Sequence, residues 1–536
     1  MVIESEDKKT DRSVGGAGAS LSGGDVFCQE DVIAFLSRSE AFGTGPVDIR
    51  ETHISFVFLS GDRVYKLKRN VKLHFLDFSS LEKRRIACER EILVNQSNAP
   101  EIYRQVVPVT FDGTSLAING EGDVVEWLVE MNRFDERTLF SNLVTSGGLK
   151  ETLIGDLAQQ VARIHLGAER MPEFGGYTSV SATLNGVVKT LSTFAGDLFP
   201  SIQFETWERD VRAELAHQKR RLDLRQKMGF VRHCHGDMHL ANICLVNGRP
   251  TPFDAIEFRK DFAAIDVLYD LAFPLMDLLQ SGRPDLGNQL LNRYMEVTCD
   301  YSGLHLLPLF ISIRAGVRAM VHALEMHEGE DGRADREAAQ SYLKIADSVL
   351  VERDVSMVAV GGFSGTGKST LARALACQEF SGAGAIVLRN DAIRKRIFRQ
   401  SPVLPLPRRA YTPAVDDRVF REMCRDAHRA LGAGWPVIVD ATFLNPARRQ
   451  AIEELADRKG ASFMGFWLSA DRDTLAKRVT ARTNDVSDAD VEVIALQAAR
   501  DVGDVDWICI DAGQSAAETT DQARVALRVL NDSATL

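Results

Sequence analysis

The stretch Gly362-Phe363-Ser364-Gly365-Thr366-Gly367-Lys368-Ser369 decides how the carboxyl-terminal half of this chain folds. It fits the pattern G-x-x-x-x-G-K-[ST], whose glycines let successive backbone N–H groups turn inward on a phosphate. The apolar run 357–360 enters this stretch as a strand, and residues 370–375 leave it with helical spacing. A bound phosphate would sit at the amino-terminal end of that helix. The context predicts a nucleoside-triphosphate site rather than a glycine-rich turn that binds nothing.

The residues of this P-loop have separate expected tasks in binding ATP and Mg²⁺. Lys368 would reach the β- and γ-phosphates, and the hydroxyl of Ser369 would ligate Mg²⁺. The rest of the expected ATP-binding set surrounds the phosphates and consists of Gly362, Gly365, Thr366, Gly367 and Thr370.

Two carboxylates end apolar, strand-like runs downstream of the P-loop. Asp391 follows the run 385–389, and Asp440 lies in the run 436–442. In a doubly wound sheet, the carboxyl ends of parallel strands border the crevice that holds the P-loop. Asp391 would then orient an acceptor hydroxyl, and Asp440 would hold Mg²⁺ through water. The alternative is that either Asp merely caps the next helix.

Two arginines further on have the spacing of one helix face. Arg478 and Arg482 lie four residues apart. They would close over the γ-phosphate and neutralise charge in the transition state, as an arginine finger does. A solvated basic face is the alternative.

These features together resemble the P-loop kinases related to polynucleotide kinase, gluconate kinase and zeta toxin. The resemblance rests on the P-loop, on Asp391-x-x-Arg394, on the strand 439–442 and on the arginine-bearing lid, over about residues 355–535. It implies a P-loop NTPase domain with a doubly wound parallel sheet that transfers phosphate from ATP.

A second cluster of polar residues lies at 231–258. It contains His235-Gly236-Asp237-x-His239-x-x-Asn242, and Asp254 follows twelve residues after Asn242. Phosphoryl transfer needs a carboxylate for the acceptor proton and oxygen ligands for Mg²⁺, and this spacing is that of a protein-kinase catalytic loop. A metal site built from His233, His235 and His239 is the alternative, although no Cys or Glu is spaced to complete it.

Two elements before this cluster would complete a nucleotide site. Residues 53–69 predict a hairpin whose second strand places Lys66 and Lys68 on one face. A helix from about Ser79 to Ser97 carries Glu91, which could pair with a strand lysine. Considered alone, the two lysines could equally belong to a solvated face, and Glu91 would more often be a surface carboxylate.

The motif at 235–242 is similar to that of the aminoglycoside phosphotransferase and choline kinase families, and residues 30–330 resemble one such protein-kinase-like domain. The resemblance implies that Lys66 contacts the ATP phosphates and that Glu91 pairs with it. It further implies that 126–129 is the hinge beside adenine, that Asp237 is the catalytic base, and that Asn242 and Asp254 ligate Mg²⁺. No G-x-G-x-x-G precedes Lys66, so the loop over the phosphates must be built differently.

The whole chain has the length and composition of a multidomain globular protein. Its 536 residues predict a disordered tail over 1–24, a kinase-like domain over 25–353 and a P-loop domain over 354–536. The net charge of −11 argues against nucleic acid and anionic membranes as partners. The eight cysteines form no C-x-x-C pair, and no apolar run approaches the roughly 18 residues of a membrane span. We expect a cytoplasmic protein without an evident partner protein.

These observations favour a bifunctional, ATP- and Mg²⁺-dependent kinase whose acceptors are hydroxyl groups of small molecules. One alternative is a regulatory protein in which one nucleotide site gates the other. Another is a kinase of nucleic-acid 5′-hydroxyl ends, against which the acidic balance argues.

Overall fold

The computed structural model describes residues 28–43, 45–73, 76–326, 332–351, 353–400, 404–480 and 491–534. The predicted tail over 1–24 and the predicted catalytic residue Arg482 lie outside these ranges.

A six-stranded antiparallel sheet forms the amino-terminal layer, in the order β1-β2-β3-β6-β4-β5. Its strands are β1 (Asp48–Glu51), β2 (Ser55–Ser60), β3 (Arg63–Lys68), β4 (Tyr103–Phe111), β5 (Leu116–Ile118) and β6 (Asp123–Asn132). Helix α1 (Gln29–Leu36) precedes the sheet, and α2 (Leu81–Gln96) packs on β6 and β4. Since side chains alternate along a strand, Lys66 and Lys68 share the face of β3 turned toward α2.

A largely helical layer follows the sheet. Its helices are α3 (Phe140–Thr145), α4 (Glu151–Gly167), α5 (Gly176–Leu191), α6 (Ser201–Lys227), α7 (Lys260–Ala263), α8 (Val267–Gln280), α9 (Pro284–Thr298), α10 (Leu307–Glu325) and α11 (Arg333–Ser348). Two short antiparallel pairs lie among them: β7 (Val231–His233) with β10 (Ala264–Asp266), and β8 (Ile243–Val246) with β9 (Arg249–Pro252). The cluster at 231–258 lies between the sheet and the helices, since Asp254 contacts Lys66 on β3 and the backbone of His235 and Gly236 bonds Asp270 on α8.

Within the described ranges, the segment Tyr301–Glu325 is long and apolar enough to cross a membrane. However, 72% of its most apolar window is buried inside the protein. A mostly buried apolar helix is also typical of a protein core.

The carboxyl-terminal layer is a five-stranded parallel sheet in the order β12-β13-β11-β14-β15. The strands are β11 (Ser356–Gly362), β12 (Ile386–Arg389), β13 (Val437–Asp440), β14 (Ser462–Ser469) and β15 (Ile508–Asp511). The helices are α12 (Lys368–Gln378), α13 (Asn390–Ile397), α14 (Pro413–Gly432), α15 (Pro446–Arg458), α16 (Arg472–Thr480), α17 (Val491–Ala498) and α18 (Ala516–Ala534). This architecture confirms the predicted doubly wound sheet, with the P-loop after its central strand.

The open edge of this sheet is covered by the other half of the chain. Asn288 and Asn292 on α9 donate to the carbonyls of Ala383 and Ala385 at 2.8–3.1 Å, and the side-chain oxygen of Asn292 accepts from the N–H of Val387 at 2.7 Å. An edge strand presents backbone groups that need partners. The two asparagines supply them, so the two halves share a buried polar contact.

Candidate active sites

The P-loop connects β11 to α12 and takes a shape that depends on glycine. Gly362 has a φ of +131°, and a Cβ there would collide with the carbonyl oxygen of Leu468 on the neighbouring strand. Only glycine fits this close approach without strain. Lys368 begins α12, and its Nζ donates to the carbonyl of Phe363 at 2.8 Å within the same loop.

The two residues predicted to hold the metal of this site lie together. The hydroxyl of Ser369 donates to a carboxylate oxygen of Asp440 at 2.5 Å. Asp440 is buried at the end of β13, and the Nε of Arg389 is 3.6 Å from the same carboxylate oxygen. A hydroxyl beside a carboxylate is an all-oxygen donor set, which suits Mg²⁺.

A cavity of about 1140 Å³ opens over the P-loop. Its lining includes Lys368, Ser369, Asp440 and Asp391, so the structure brings together the residues predicted for this half. Asp391 lies in the first turn of α13, directly after the edge strand β12.

Arg478 lines the same cavity but is tied to its wall. Its guanidinium donates to the carbonyls of Ala512 and Gln514 at 2.6 and 2.9 Å. Both carbonyls belong to the turn between β15 and α18, at the far side of the sheet from Asp391. Its predicted companion, Arg482, lies outside the described residues.

The amino-terminal site centres on Lys66. Its Nζ lies 2.9 Å from a carboxylate oxygen of Glu91 and 2.7 Å from one of Asp254. The second oxygen of Glu91 pairs with the fully buried Lys68, which also pairs with Glu257. From the sequence alone, this face of β3 could have been solvated. In the structure it is buried and carries a network of ion pairs.

The charged groups of this network shift one another's pKa values. Burial opposes the charged form of Lys66, but Asp254 and Glu91 outweigh it and hold the pKa of Lys66 well above its ordinary value. Burial likewise opposes the ionised form of Asp254, but Lys66 lowers the pKa of Asp254 to about 2. Asp254 has a φ of +60°, and its N–H donates to the hydroxyl of Tyr103 at 3.1 Å. A non-glycine residue in the left-handed region at a charged site is a typical sign of functional constraint.

The hairpin β8–β9 brings Asn242 and Asp254 to one end. Asn242 directly precedes β8, its carbonyl accepts from the N–H of Phe253 at 3.0 Å, and Asp254 is the residue after Phe253. The amide of Asn242 also donates to the backbone carbonyl of Asp237 at 3.0 Å and to its carboxylate at 3.3 Å. The predicted base and the predicted metal ligands thus form one cluster with oxygen donors suitable for Mg²⁺.

The histidines of this loop do not form a metal site. The Nε2 of His235 donates to the carbonyl of Phe253 at 2.8 Å, and its Nδ1 accepts from the N–H of Asp237 at 3.3 Å. Burial lowers the pKa of His235, which keeps it neutral. Among the residues that the structure describes, none of the groupings with metal-ligand geometry contains His233, His235 or His239.

Sequence reasoning missed the residue that holds this loop in place. The fully buried Asp270 on α8 accepts from the N–H of His235 at 3.1 Å and from the N–H of Gly236 at 2.9 Å. It also bonds the Nε2 of His165 at 3.1 Å, while the Nδ1 of His165 contacts the hydroxyl of Tyr294 at 2.9 Å. His165 is thus a buried core histidine with a partner at each ring nitrogen. An Asp inside the apolar run 267–278 was the available signal for an internal anchor.

The structure places the predicted hinge over 126–129 inside β6. All four residues pair with β4, and Leu128 and Val129 also pair with β3. The carboxylate of Glu126 is buried against Arg84 at 2.8–2.9 Å. The backbone of Leu128 and Val129 is therefore paired on both sides, and the chain leaves the sheet only after Asn132.

Comparisons with known proteins extend over both halves of the chain. A family model described as an AAA domain matches residues 357–502, which confirms the predicted P-loop domain. Uncharacterized protein Rv2004c of Mycobacterium tuberculosis is 32% identical over 470 residues, covering 86% of this chain and 91% of that protein. Uncharacterized protein Mb2027c of Mycobacterium bovis matches to the same extent. This chain belongs to the family of these mycobacterial proteins.

Solved structures of kinases match each half of this family member separately. A gluconokinase from Sinorhizobium meliloti is 22% identical and covers 34% of this chain and 99% of its own, with a TM-score of 0.25. A choline/ethanolamine kinase family protein from Mesorhizobium loti is 12% identical and covers 60% of this chain and 99% of its own, with a TM-score of 0.37.

Proposed function

We propose that this protein is an ATP-dependent kinase with two active sites, each transferring the γ-phosphoryl group to a hydroxyl of a small molecule. One observation carries the proposal. Each half places a lysine, a pair of oxygen donors for a metal and a further carboxylate around one site: Lys66, Asn242 with Asp254, and Asp237 in the first half; Lys368, Ser369 with Asp440, and Asp391 in the second.

In the amino-terminal site, Lys66 would bind the phosphates, and Glu91 would hold the lysine in position. Asn242 and Asp254 would hold Mg²⁺, which neutralises charge on the phosphates when it is bound. Asp237 would accept the proton of the acceptor hydroxyl, and the hydrogen bond from the amide of Asn242 to its carboxylate keeps that carboxylate directed into the cluster.

In the carboxyl-terminal site, the backbone of the P-loop and Lys368 would bind the phosphates. Ser369 and Asp440 would hold the metal, and Asp391 would accept the proton of the hydroxyl. Positioning and electrostatics would supply the rate in both sites. This division of roles also supports the domain boundary near residue 354, just before β11.

Two variants of the full-length protein test the proposal, with radiolabelled ATP and a panel of sugars, amino alcohols, aminoglycosides and oligonucleotides. Lys368→Ala should reduce transfer at the P-loop site at least about 100-fold and leave nucleotide binding by the other half intact. Asp237→Asn should remove transfer at the first site with nearly unchanged ATP affinity, because the base acts in the transition state. The exposed Lys219, paired with Asp223 on α6, provides the control Lys219→Ala.

Which site loses phosphoryl transfer in each variant decides between the candidate functions. Unaltered turnover in Asp237→Asn would refute the assigned base. An equal loss at both sites in Lys368→Ala would contradict two independent sites. That second result would favour the other candidate, a protein in which one nucleotide site gates the other, for which the buried contact of Asn288 and Asn292 with β12 provides a physical link.

A further inference from the structure

The segment 253–256, which carries Asp254, is held through all four of its backbone N–H groups. The first N–H donates to the carbonyl of Asn242 and the last to the carbonyl of His235, both at 3.0 Å. Both acceptors belong to the loop of Asp237, so these two bonds are local to the cluster. Buried backbone donors need such partners. The two inner N–H groups find theirs elsewhere.

Two side chains from the amino-terminal layer accept from the inner N–H groups. The N–H of Asp254 donates to the hydroxyl of Tyr103 on β4 at 3.1 Å. The N–H of Ala255 donates to the side-chain oxygen of Asn95 on α2 at 2.8 Å, and the amide of Asn95 donates to the carbonyl of Glu91 at 3.1 Å. Tyr103 and Asn95 are only 1% and 2% exposed, so solvent does not compete for these bonds. We call these two side chains the backbone clamp.

The backbone clamp acts on a residue whose own conformation is unfavourable. Asp254 has a φ of +60°, in the left-handed region that the Cβ of an L residue crowds. A residue stays in such a conformation only where the surrounding contacts over-determine it. Its side chain nevertheless remains 41% exposed. The clamp therefore fixes the direction of the Asp254 carboxylate without covering it.

The ion pair with Lys66 does not suffice to hold Asp254 in place. That pair joins the Nζ of Lys66 to the Asp254 carboxylate at 2.7 Å. In the proposed function the lysine binds the phosphates and the carboxylate binds Mg²⁺, so both groups take new partners when the nucleotide is bound. The bonds of the backbone clamp use N–H groups instead, and they need not break when the carboxylate changes its partner.

We propose that Tyr103 and Asn95 are positioning residues of the amino-terminal site, which hold Asp254 in the left-handed conformation that directs its carboxylate to Mg²⁺. This inference rests on the proposed function of that half, in which Asp254 is a metal ligand. Asn95 lies about one turn after Glu91 on α2. The helix that holds Lys66 through Glu91 therefore also holds the metal ligand, and a displacement of α2 would weaken both contacts together.

Calorimetric titration of the full-length Lys368→Ala protein with a non-hydrolysable ATP analogue, without Mg²⁺ and over a range of Mg²⁺ concentrations, tests this. Tyr103→Phe and Asn95→Ala should each raise the Mg²⁺ concentration for the half-maximal gain in affinity at least about fivefold, because an N–H group beside the ligand loses its partner. The affinity without Mg²⁺ should stay unchanged, since both side chains are buried away from any ligand.

Tyr269→Phe is the matched control for the loss of a buried phenol hydroxyl. Tyr269 lies on α8, and its hydroxyl has no hydrogen-bond partner among the described residues. This variant should leave the affinity for the analogue unchanged, both with and without Mg²⁺.

Asp254→Asn in the same background separates this inference from the proposed function. If the analogue does not bind, or if Asp254→Asn leaves its Mg²⁺ dependence unchanged, the proposed function of the amino-terminal half fails first and the inference fails with it. If Asp254→Asn removes the dependence but Tyr103→Phe and Asn95→Ala keep it as in the parent, the inference alone is wrong. A loss of affinity that is equal with and without Mg²⁺ would show that the two side chains only support the fold.

Discussion

Replacing Asp270 by Asn should loosen the loop that carries Asp237. The Asp270 carboxylate is fully buried and accepts three hydrogen bonds, from the N–H groups of His235 and Gly236 and from His165. An Asn has one acceptor oxygen, and its NH₂ group would face a donor. At least one N–H would therefore lose its partner inside the protein.

The expected magnitude follows from these contacts. A hydrogen bond to a charged acceptor contributes about 1.5–3 kcal/mol, and an unsatisfied buried donor costs about 1–3 kcal/mol. A loss of about 3 kcal/mol in local stability corresponds to about 100-fold faster amide exchange when local opening governs exchange. The turnover of the amino-terminal site should fall because the base is no longer held, whereas its affinity for ATP should change little.

Hydrogen exchange followed by mass spectrometry, on a peptide spanning residues 231–245, measures the effect directly. Asp285→Asn is the matched control, since Asp285 is half-exposed and pairs with Arg283 at the start of α9. Unchanged exchange in the 231–245 peptide, with a folded protein, would refute the anchoring role of Asp270. A chain-wide rise in exchange would show instead that Asp270 stabilises the whole helical layer.

Three further perturbations test other contacts. Asp440→Asn should raise the Mg²⁺ concentration needed for half-maximal transfer at the P-loop site at least about tenfold, because a charged ligand becomes neutral; an unchanged Mg²⁺ titration would exclude it as a ligand. Lys66→Met should make acid unfolding of the first half begin at higher pH, followed by tryptophan fluorescence. Lys66 lowers the pKa of Asp254 to about 2 in the folded protein. The stability that this shift contributes is present above the ordinary pKa of an Asp and is lost as the pH falls toward 2. Acid unfolding curves that coincide for the variant and the parent protein would contradict this. Asn292→Ala should speed amide exchange on β12 by a factor that corresponds to about 1–3 kcal/mol, because the N–H of Val387 loses its partner. The control is Asn185→Ala, at an exposed asparagine. Equal exchange on β12 in the two variants would mean that the hydrogen bonds of Asn292 do not stabilise this strand.

The sequence predicted best what is encoded locally. The P-loop, its entering strand and its exiting helix occupy neighbouring positions, so the pattern and its context suffice. The two-residue period also placed Lys66 and Lys68 correctly on one face. It could not show that this face is buried, since the partners Glu91 and Glu257 come from distant parts of the chain.

Two predicted boundaries differ from the structure, because strand pairing and tertiary packing decide where these elements begin and end. The resemblance placed the hinge at residues 126–129, whereas pairing with β3 and β4 carries β6 on to Asn132. The helix expected from Ser79 has its cap one residue later, where the side chain of Ser80 accepts from the N–H of Lys83. Adjacent serines offer two equivalent caps, and only tertiary packing chooses between them.

The buried elements between the two sites form one continuous path. Asp270 on α8 holds the loop of Asp237, α8 packs on α9, and Asn292 on α9 bonds the strand that ends just before Asp391. Continuity alone is not coupling, since coupling needs an element whose two states both sites bias. The variant Asn292→Ala separates the cases, because it cuts the path without touching either cluster. Suppose that in the parent protein the KM for ATP at the first site depends on nucleotide bound at the P-loop. If this dependence disappears in Asn292→Ala, α9 transmits the effect. If that KM never depends on the P-loop, the asparagines serve only to cover the sheet edge.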